Sequence, residues 1–258
     1  MQFKIILLTA LFTSCLNTPL QLNNFHVINQ EIYSGSSPQN DLAFSQSKDL
    51  GIKTIISVDG ITPNIHNAHK YGLTYVHIPV GYDGITRQEQ LSLKQVLRQK
   101  KSPYYIHCHH GTQRGPTAAA LLLLMQGKSQ NEALQVLSTC GTDKRYKGLW
   151  ASIEKFSPIQ DEKLPALSET SESSLMVSAM VQIDRAFDHL KNDKNDEQIL
   201  LFQEGFREAL RAIEPMDKKK DFTALMKASQ KLAFSDVTPE NLNRLKNNCR
   251  SCHKKYRD

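Results

Sequence analysis

A cysteine and an arginine stand six residues apart in HCHHGTQRG, where an apolar, strand-like run ends and a helix-like run begins. The backbone N–H groups of such a turn, together with the positive end of the helix dipole, suit an anion. Arg114 can hold two phosphate oxygens with its planar guanidinium, and the same field favours the nucleophilic thiolate of Cys108. The stretch predicts a phosphate-binding loop made by His109, His110, Gly111, Thr112, Gln113 and Arg114. The alternative is a structural turn around a buried cysteine.

This pattern resembles the signature of the protein tyrosine and dual-specificity phosphatases, in which Cys-x5-Arg joins a strand to a helix. The similarity includes His107 and Gly111, spans residues 23–156, and is strongest to the bacterial dual-specificity-like branch. It implies that Cys108 forms a phosphocysteine while Arg114 holds the phosphoryl group. We therefore expect a cysteine-dependent phosphatase whose substrate is a phosphorylated protein or small molecule.

The same resemblance implies a general acid that protonates the departing oxygen. Asp83, in the segment after the strand-like run TYVHIPV, is the candidate, and a turn with Gly84 is its alternative role. Asp59, in VDG, is a weaker candidate for the acid and is interpreted as a turn residue. Gly115 departs from the family pattern, because a serine or threonine usually stands there and helps the thiolate to leave in the second step. The rival interpretation is therefore a domain that binds phosphate with weak or no turnover.

A second motif, CRSCH, lies in the last predicted helix. Cys249 and Cys252 are one turn apart and His253 follows directly, which is the attachment pattern of c-type haem. A redox dithiol or half of a zinc site are the alternatives, although no second ligand pair for zinc lies near. The motif and the helical pattern resemble the cytochrome c-prime family over residues 171–258. This implies one covalent haem c with His253 as the proximal iron ligand.

A sixth iron ligand would come from the first helix of this region. Met180 is the candidate because the apolar stripe continues from it, and Met176 is the reserve. Ordinary core packing of the methionine, with an open distal face on the iron, is the alternative. The haem suggests a rival function as an electron carrier or gas sensor, with a periplasmic electron-transfer partner.

The elements that would position these residues fall into two regions. Residues 23–156 alternate strand-like runs (KTIISV, TYVHIPV, PYYIH) with helix-like segments, which predicts an α/β domain with a central, mainly parallel sheet. Residues 157–173 are rich in proline, serine and charge, and are predicted to be a linker. Residues 174–258 carry four apolar stripes at three- and four-residue spacing, which predict an all-α four-helix bundle.

The first 20 residues have the pattern of a signal peptide, because the apolar run IILLTALF is too short to span a bilayer. Cys15 follows two small residues, as in bacterial lipoproteins, and ordinary cleavage further on is the alternative. We therefore expect export to the bacterial periplasm, with membrane contact only through a lipid anchor on Cys15.

The remaining thiols and the charge give weaker signals. The four cysteines left after Cys15 could form two disulfides, but the two motifs above argue against this. Cys140 is interpreted as a core cysteine, or as a partner of Cys108 in a reversible disulfide. The excess of 32 Lys and Arg over 26 Asp and Glu is mild and has no interleaved aromatic stripe, so no nucleic-acid partner is expected.

Overall fold

The computed structural model describes residues 19–160, 162–171, 175–193, 195–213 and 220–256, so Cys15 and residues 1–18 of the predicted signal peptide lie outside the described residues. The strands are β1 (His26–Val27), β2 (Ile32–Ser36), β3 (Thr54–Ser57), β4 (Thr74–His77) and β5 (Tyr104–Cys108). The helices are α1 (Asp41–Asp49), α2 (Ile65–Lys70), α3 (Arg87–Gln99), α4 (Arg114–Met125), α5 (Gln130–Thr139), α6 (Lys147–Glu154), α7 (Leu175–Asn192), α8 (Asp196–Ile213), α9 (Lys220–Ala233) and α10 (Pro239–Tyr256).

The five strands form one sheet in the order β1-β2-β5-β3-β4. β1 pairs with β2 antiparallel, and the other neighbouring strands are parallel. β5 is central, and its last residues, His107 and Cys108, pair in register with Ser57 on β3 and Ser36 on β2. Because parallel strands end at the same edge of a sheet, the segments that follow β3, β4 and β5 meet beside Cys108.

Helices cover both faces of the sheet. α1 and α2 pack on one face, where Phe44 and Tyr105 belong to the same buried cluster. α3, α4, α5 and α6 pack on the other face, in a larger cluster that contains Ile106 and Leu121. The predicted α/β architecture with a mainly parallel sheet is confirmed.

The segment between α6 and α7 contains no helix or strand in residues 157–160 and 162–171, the part that is described. It is nevertheless held against the α/β region. Arg87 of α3 pairs with Glu162 and donates to the carbonyl oxygen of Ser157 at 2.9 Å. Further on, the amide of His77 donates to the carbonyl oxygen of Ser168 at 2.9 Å. The predicted linker is therefore bound along the surface of the α/β region.

The last four helices, α7 to α10, pack against one another in chain order, which confirms the predicted helical region. α7 and α8 approach closely at Gly205, where a Cβ would lie 2.6 Å from Cγ1 of Ile183. The apolar cluster of these helices, which includes Phe202, is continuous with Tyr82 and Tyr146 of the α/β region. Among the described residues, no helix is both long enough and apolar enough to cross a bilayer.

Candidate active site

The predicted phosphate loop joins the end of β5 at Cys108 to the start of α4 at Arg114. Gly111 has φ of +79°, in the left-handed region that glycine favours. A Cβ on Gly111 would lie only 2.1 Å from the carbonyl carbon of Gly35 on β2. Glycine is therefore required both for the turn and for the close approach of the loop to the sheet.

The loop turns its carbonyl groups outward. Four of its carbonyl oxygens accept hydrogen bonds from outside the loop: His109 from the Ser37 amide at 3.3 Å, His110 from Asn24 Nδ2 at 2.8 Å, Thr112 from Thr142 Oγ1 at 2.8 Å, and Gln113 from Thr117 Oγ1 at 3.0 Å. Across the described chain, none of the amides of residues 109–113 donates to a protein acceptor. Unpaired N–H groups before a helix N-terminus that has no side-chain cap are the arrangement that binds an anion.

The guanidinium of Arg114 is 2% exposed and makes contacts on several sides. Nη1 donates to the carbonyl oxygen of Val80 at 3.3 Å, and the group lies 4.2 Å from the ring centroid of Tyr82. Nη2 donates to Asp59 Oδ1 and to Glu208 Oε1, each at 3.2 Å. Nε has no partner within the described residues. The N–H of Nε is therefore free, and Nη2 donates to two carboxylates.

Two residues of α8 complete a buried charge network around Arg114. Arg211 donates to the two carboxylate oxygens of Asp59 at 3.1 and 2.6 Å, and to Glu208 at 2.7 Å. Two arginines thus face two carboxylates, and this balance offsets the free energy of burying the charges. α8 lies against this end of the phosphate loop, and Cys108 is only 3% exposed. Sequence reasoning did not identify Glu208 or Arg211.

Asp59 is more than the turn residue inferred from the sequence. Its Oδ1 accepts from the amide of Gly60 at 2.8 Å, as a turn residue does, but its side chain also binds both arginines. Burial raises the pKa of Asp59, yet the charge of Arg114 and the hydrogen bond from Arg211 outweigh burial and hold this pKa well below its usual range. Both carboxylate oxygens of Asp59 accept from arginines, so in this structure the side chain holds Arg114 and Arg211 in place. The position of Asp59 shortly after β3, the strand next to β5, is the feature of the sequence that could have indicated this role.

Asp83, the predicted acid, lies in the loop between β4 and α3, next to Tyr82. Its side chain is 52% exposed and stands 3.9 Å from Arg185 of α7. The backbone of this loop is packed on α6, where a Cβ on Gly148 would lie 2.0 Å from the Asp83 carbonyl oxygen. The structure places Asp83 at the rim of the site, and within the described chain its carboxylate makes no hydrogen bond to the phosphate loop.

The three histidines beside the nucleophile differ in environment. His107 is 1% exposed, its Nε2 pairs with the hydroxyl of Tyr75, and burial lowers its pKa to about 4. The imidazole is therefore neutral at neutral pH. His109 is half-buried, and burial and the charge of Arg211 lower its pKa, whereas His110 is exposed.

Cys140 ends α5 and is buried. Burial raises its pKa to about 11, so the thiol is protonated at neutral pH. Cys108 and Cys140 are both free thiols, and the reversible disulfide between them stays a prediction.

The CRSCH motif lies on α10. Cys252 is 8% exposed, Cys249 is half-buried, and both are free thiols whose pKa is raised by burial. His253 is exposed, and Met180 is half-buried on α7, as is Met176. Two free thiols one turn apart, followed by an imidazole, are the donor set that c-type haem requires, so these residues fit the group. Among the described residues, no cluster of three or more His, Cys, Asp or Glu side chains is arranged to hold a bare metal ion.

Comparison with known proteins finds similarity over the α/β region and the start of the helical region. The family model described as "Swiss Army Knife protein, DSP-PTPase phosphatase domain" matches residues 23–183. Among solved structures, P. aeruginosa TpbA is 21% identical, with 52% of this chain and 86% of that chain covered and a TM-score of 0.45. The core catalytic domain of the PP-IP phosphatase SIW14 from S. cerevisiae is 18% identical, with 54% and 89% covered and a TM-score of 0.45. No curated protein matches the chain.

Proposed function

The chain belongs to the DSP-PTPase phosphatase domain family of the Swiss Army Knife proteins, and from this premise we propose that it hydrolyses phosphomonoesters through a phosphocysteine at Cys108. The observation that carries the proposal is the loop itself. It has a thiol at one end, Arg114 at the other, and unpaired amides at residues 109–113 between them. These groups supply a nucleophile and the donors that a phosphoryl group needs.

The reaction has two steps. The Cys108 thiolate attacks phosphorus, and the S–P bond forms as the ester P–O bond breaks. Arg114 and the loop amides hold the phosphoryl oxygens while Asp83 gives its proton to the departing oxygen. Water then attacks phosphorus, the S–P bond breaks, and Asp83 takes a proton from the water. Inorganic phosphate and the thiolate are the products.

Substrate binding requires a local rearrangement around α8. Arg114 is 2% exposed, and its Nη2 donor is shared by two carboxylates. A phosphate dianion next to Glu208 and Asp59 would be repelled by both. Glu208 is on α8 and Asp59 follows a central strand, so we expect Glu208 to withdraw when the phosphate binds.

Release of phosphate from an aryl phosphate by the full chain tests this proposal. Cys108→Ser is expected to abolish turnover and still bind orthovanadate, and Arg114→Lys to lose most of both because the planar fork is gone. Cys140→Ser, which removes another buried free thiol, is the matched control and keeps wild-type activity. Wild-type activity in Cys108→Ser would show the mechanism to be wrong. Orthovanadate binding without phosphate release in the wild type would support the rival phosphate-binding domain.

Covalent haem binding is a second candidate function, favoured by the two free thiols on α10. Cys249 and Cys252 would hold the haem through thioether bonds, and His253 would bind its iron, with Met180 as the candidate sixth ligand. When bound, such a haem supplies one-electron exchange or binding of a small gas. The proposal includes export, because c-type haem is attached outside the bacterial cytoplasm.

Expression in a host with a c-type maturation system tests the haem proposal. Denatured protein is expected to keep its haem and to give a thioether-type pyridine haemochrome spectrum. Cys249→Ala with Cys252→Ala removes both attachment points, while Cys140→Ala is the control that keeps the haem. Haem that extracts into acid–acetone from the wild type would contradict covalent attachment. Cell fractionation of the wild type and of Cys15→Ala tests export and lipid anchoring separately.

A further inference from the structure

Gly115, the second residue of α4, packs closely against the backbone of Cys108 and the hydroxyl of Ser34. A Cβ at this position would lie 3.2 Å from the amide nitrogen of Cys108 and 3.3 Å from Oγ of Ser34. The related phosphatases usually carry a serine or threonine here, whose hydroxyl helps the thiolate to leave. In this chain, the hydroxyl of Ser34 lies beside the point from which the missing hydroxyl would extend.

Ser34 is on β2 and shares a sheet face with the nucleophile. Its Cα pairs in register with Ile106, and Ser36 pairs with Cys108. Because side chains alternate along a strand, Ser34 and Ser36 point to the same side as Ile106 and Cys108. This is the side on which α4 packs.

The hydroxyl of Ser34 is buried and unpaired. The residue is 0% exposed, and its Oγ has no hydrogen-bond partner in the part of the chain that the structure describes. A buried hydroxyl without a partner destabilises a folded protein, because its hydrogen bonds to water are lost and not replaced. A buried hydroxyl without a partner needs an explanation, and a role in catalysis is one that the position of Ser34 suggests.

We propose that Ser34 is a catalytic residue, whose hydroxyl turns to Sγ of Cys108 and stabilises the thiolate as it leaves phosphorus. The inference rests on the proposed phosphatase function. In the second step, water attacks phosphorus, the S–P bond breaks, and the electron pair stays on Sγ. The proton from water passes to Asp83, while Ser34 donates a hydrogen bond and keeps its own proton. β2 thus supplies the hydroxyl that Gly115 cannot.

Rapid mixing of full-chain Ser34→Ala with p-nitrophenyl phosphate tests this role. Loss of a hydrogen bond to a charged group is expected to slow the second step about 10-fold or more. The phosphocysteine then accumulates, so about one nitrophenolate per protein appears in a burst before the slower steady state. kcat/KM, which reports the first step, changes little. The midpoint of thermal unfolding stays equal or rises, whereas a structural role for Ser34 would lower it.

A double variant that moves the hydroxyl from β2 to α4 tests whether the lost rate can be restored. Ser34→Ala combined with Gly115→Ser returns a hydroxyl from α4 and removes the Oγ that would crowd the new side chain. We expect this double variant to lose the burst and recover most of the steady-state rate. Ser36→Ala, on the same strand and sheet face, is the control and keeps wild-type kinetics. A burst in Ser36→Ala but not in Ser34→Ala would overturn the assignment.

Alkylation of Cys108 by iodoacetamide gives a readout that needs no turnover. The modified peptide is followed by mass spectrometry at one fixed pH, and alkylation is expected to be slower in Ser34→Ala than in the wild type. An unchanged steady-state rate and an unchanged alkylation rate in Ser34→Ala, with Cys108→Ser inactive, would overturn this inference alone. Activity that persists in Cys108→Ser would instead overturn the proposed function.

Discussion

Glu208 Oε1 lies 3.2 Å from Nη2 of Arg114, so a carboxylate from α8 occupies a donor that phosphate would use. Asp59 shares the same nitrogen, and Arg211 neutralises the pair from the other side. The second oxygen of Glu208 has no partner among the described residues. The contact joins the helical region to the phosphate loop at Arg114.

Removal of the charge on Glu208 is predicted to strengthen anion binding. Glu208→Gln keeps an oxygen that can accept from Arg114 and, like Asp59→Asn, leaves two buried arginines facing one carboxylate, so it is expected to destabilise the fold. It also ends a like-charge repulsion with phosphate on the order of 2 kcal/mol. Inhibition constants for orthovanadate and KM for an aryl phosphate are therefore expected to fall about 30-fold.

Glu204→Gln is the matched control for this measurement. Glu204 is buried one turn earlier on α8, where it accepts from the hydroxyl of Tyr146 at 2.9 Å and pairs with Arg207. Glu204 makes no contact with Arg114 within the described chain. The inhibition constant for orthovanadate and KM for the aryl phosphate are therefore expected to keep wild-type values in Glu204→Gln. Equal effects of the two variants would mean that α8 acts through stability and not through charge at the site.

Asparagine at position 83 is predicted to lower the catalytic rate, whereas asparagine at position 59 is predicted to lower folding stability. Asp83→Asn is expected to lower kcat about 10²-fold, with unfolding unchanged because the side chain is exposed. The loss should shrink when the leaving group is a good one, as with p-nitrophenyl compared with phenyl phosphate. Asp59→Asn leaves two buried arginines facing one carboxylate and is expected to destabilise the fold by about 3–5 kcal/mol. A large stability loss in Asp83→Asn would contradict its place at the rim.

Gly111→Ala is predicted to disrupt the loop itself. The new Cβ would overlap the backbone of Gly35, which cannot move without breaking the pairing of β2 with β5. Gly127 offers a control, because it also has positive φ, at +86°, but nothing lies within 4 Å of its Cβ position. Urea unfolding should show a loss of about 1 kcal/mol for Gly127→Ala and a larger one for Gly111→Ala. Only Gly111→Ala should lose orthovanadate binding.

Stability is predicted to fall as the pH drops from about 6.5 towards 4. Burial lowers the pKa of His107 from 6.5 to about 4, so in this window the unfolded chain binds a proton that the folded chain does not. The free energy of unfolding that depends on neutral His107 is fully present above pH 6.5 and is lost as the pH falls towards 4. The loss is on the order of 3 kcal/mol. Burial also lowers the pKa of His77, which acts in the same direction.

Urea unfolding of the wild type and His107→Asn at several pH values measures this effect. The variant should show a flatter dependence on pH across the window, whatever its absolute stability. Parallel slopes in the two proteins would mean that His107 is not the group that takes up the proton.

Local signals explain why much of the fold could be predicted from the sequence. Thr86 and Ser129 each form a capping box at the start of α3 and α5, and a serine or threonine three residues before a glutamate predicts such a start. Thr238 accepts from the amide of Asn241 at 3.1 Å at the start of α10, whose first residue, Pro239, is of a type favoured at that position. These features depend on residues three or four positions apart, which a sequence shows directly.

The charge network could not be predicted, because its members are far apart in the chain. Arg211 and Asp59 are separated by 152 positions, and a charged residue on an amphipathic helix is usually solvated. Periodicity identifies the buried face of α8 but not the surface against which it packs. The close approach of Gly115 to Ser34 could not be predicted either, since Ser34 lies in another strand.

The apolar cluster shared by both regions has a consequence for cooperativity. Tyr82, Tyr146 and Leu149 of the α/β region lie in the same buried cluster as Phe206 and Ala209 of α8. Neither region can unfold without exposing apolar surface of the other, so heat should melt them as one calorimetric unit, with a single peak and equal van't Hoff and calorimetric enthalpies. The change of composition at residues 157–173 thus divides the sequence into two regions that are expected to unfold together. A substitution that destabilises the helices would also lower the local stability of the phosphate loop.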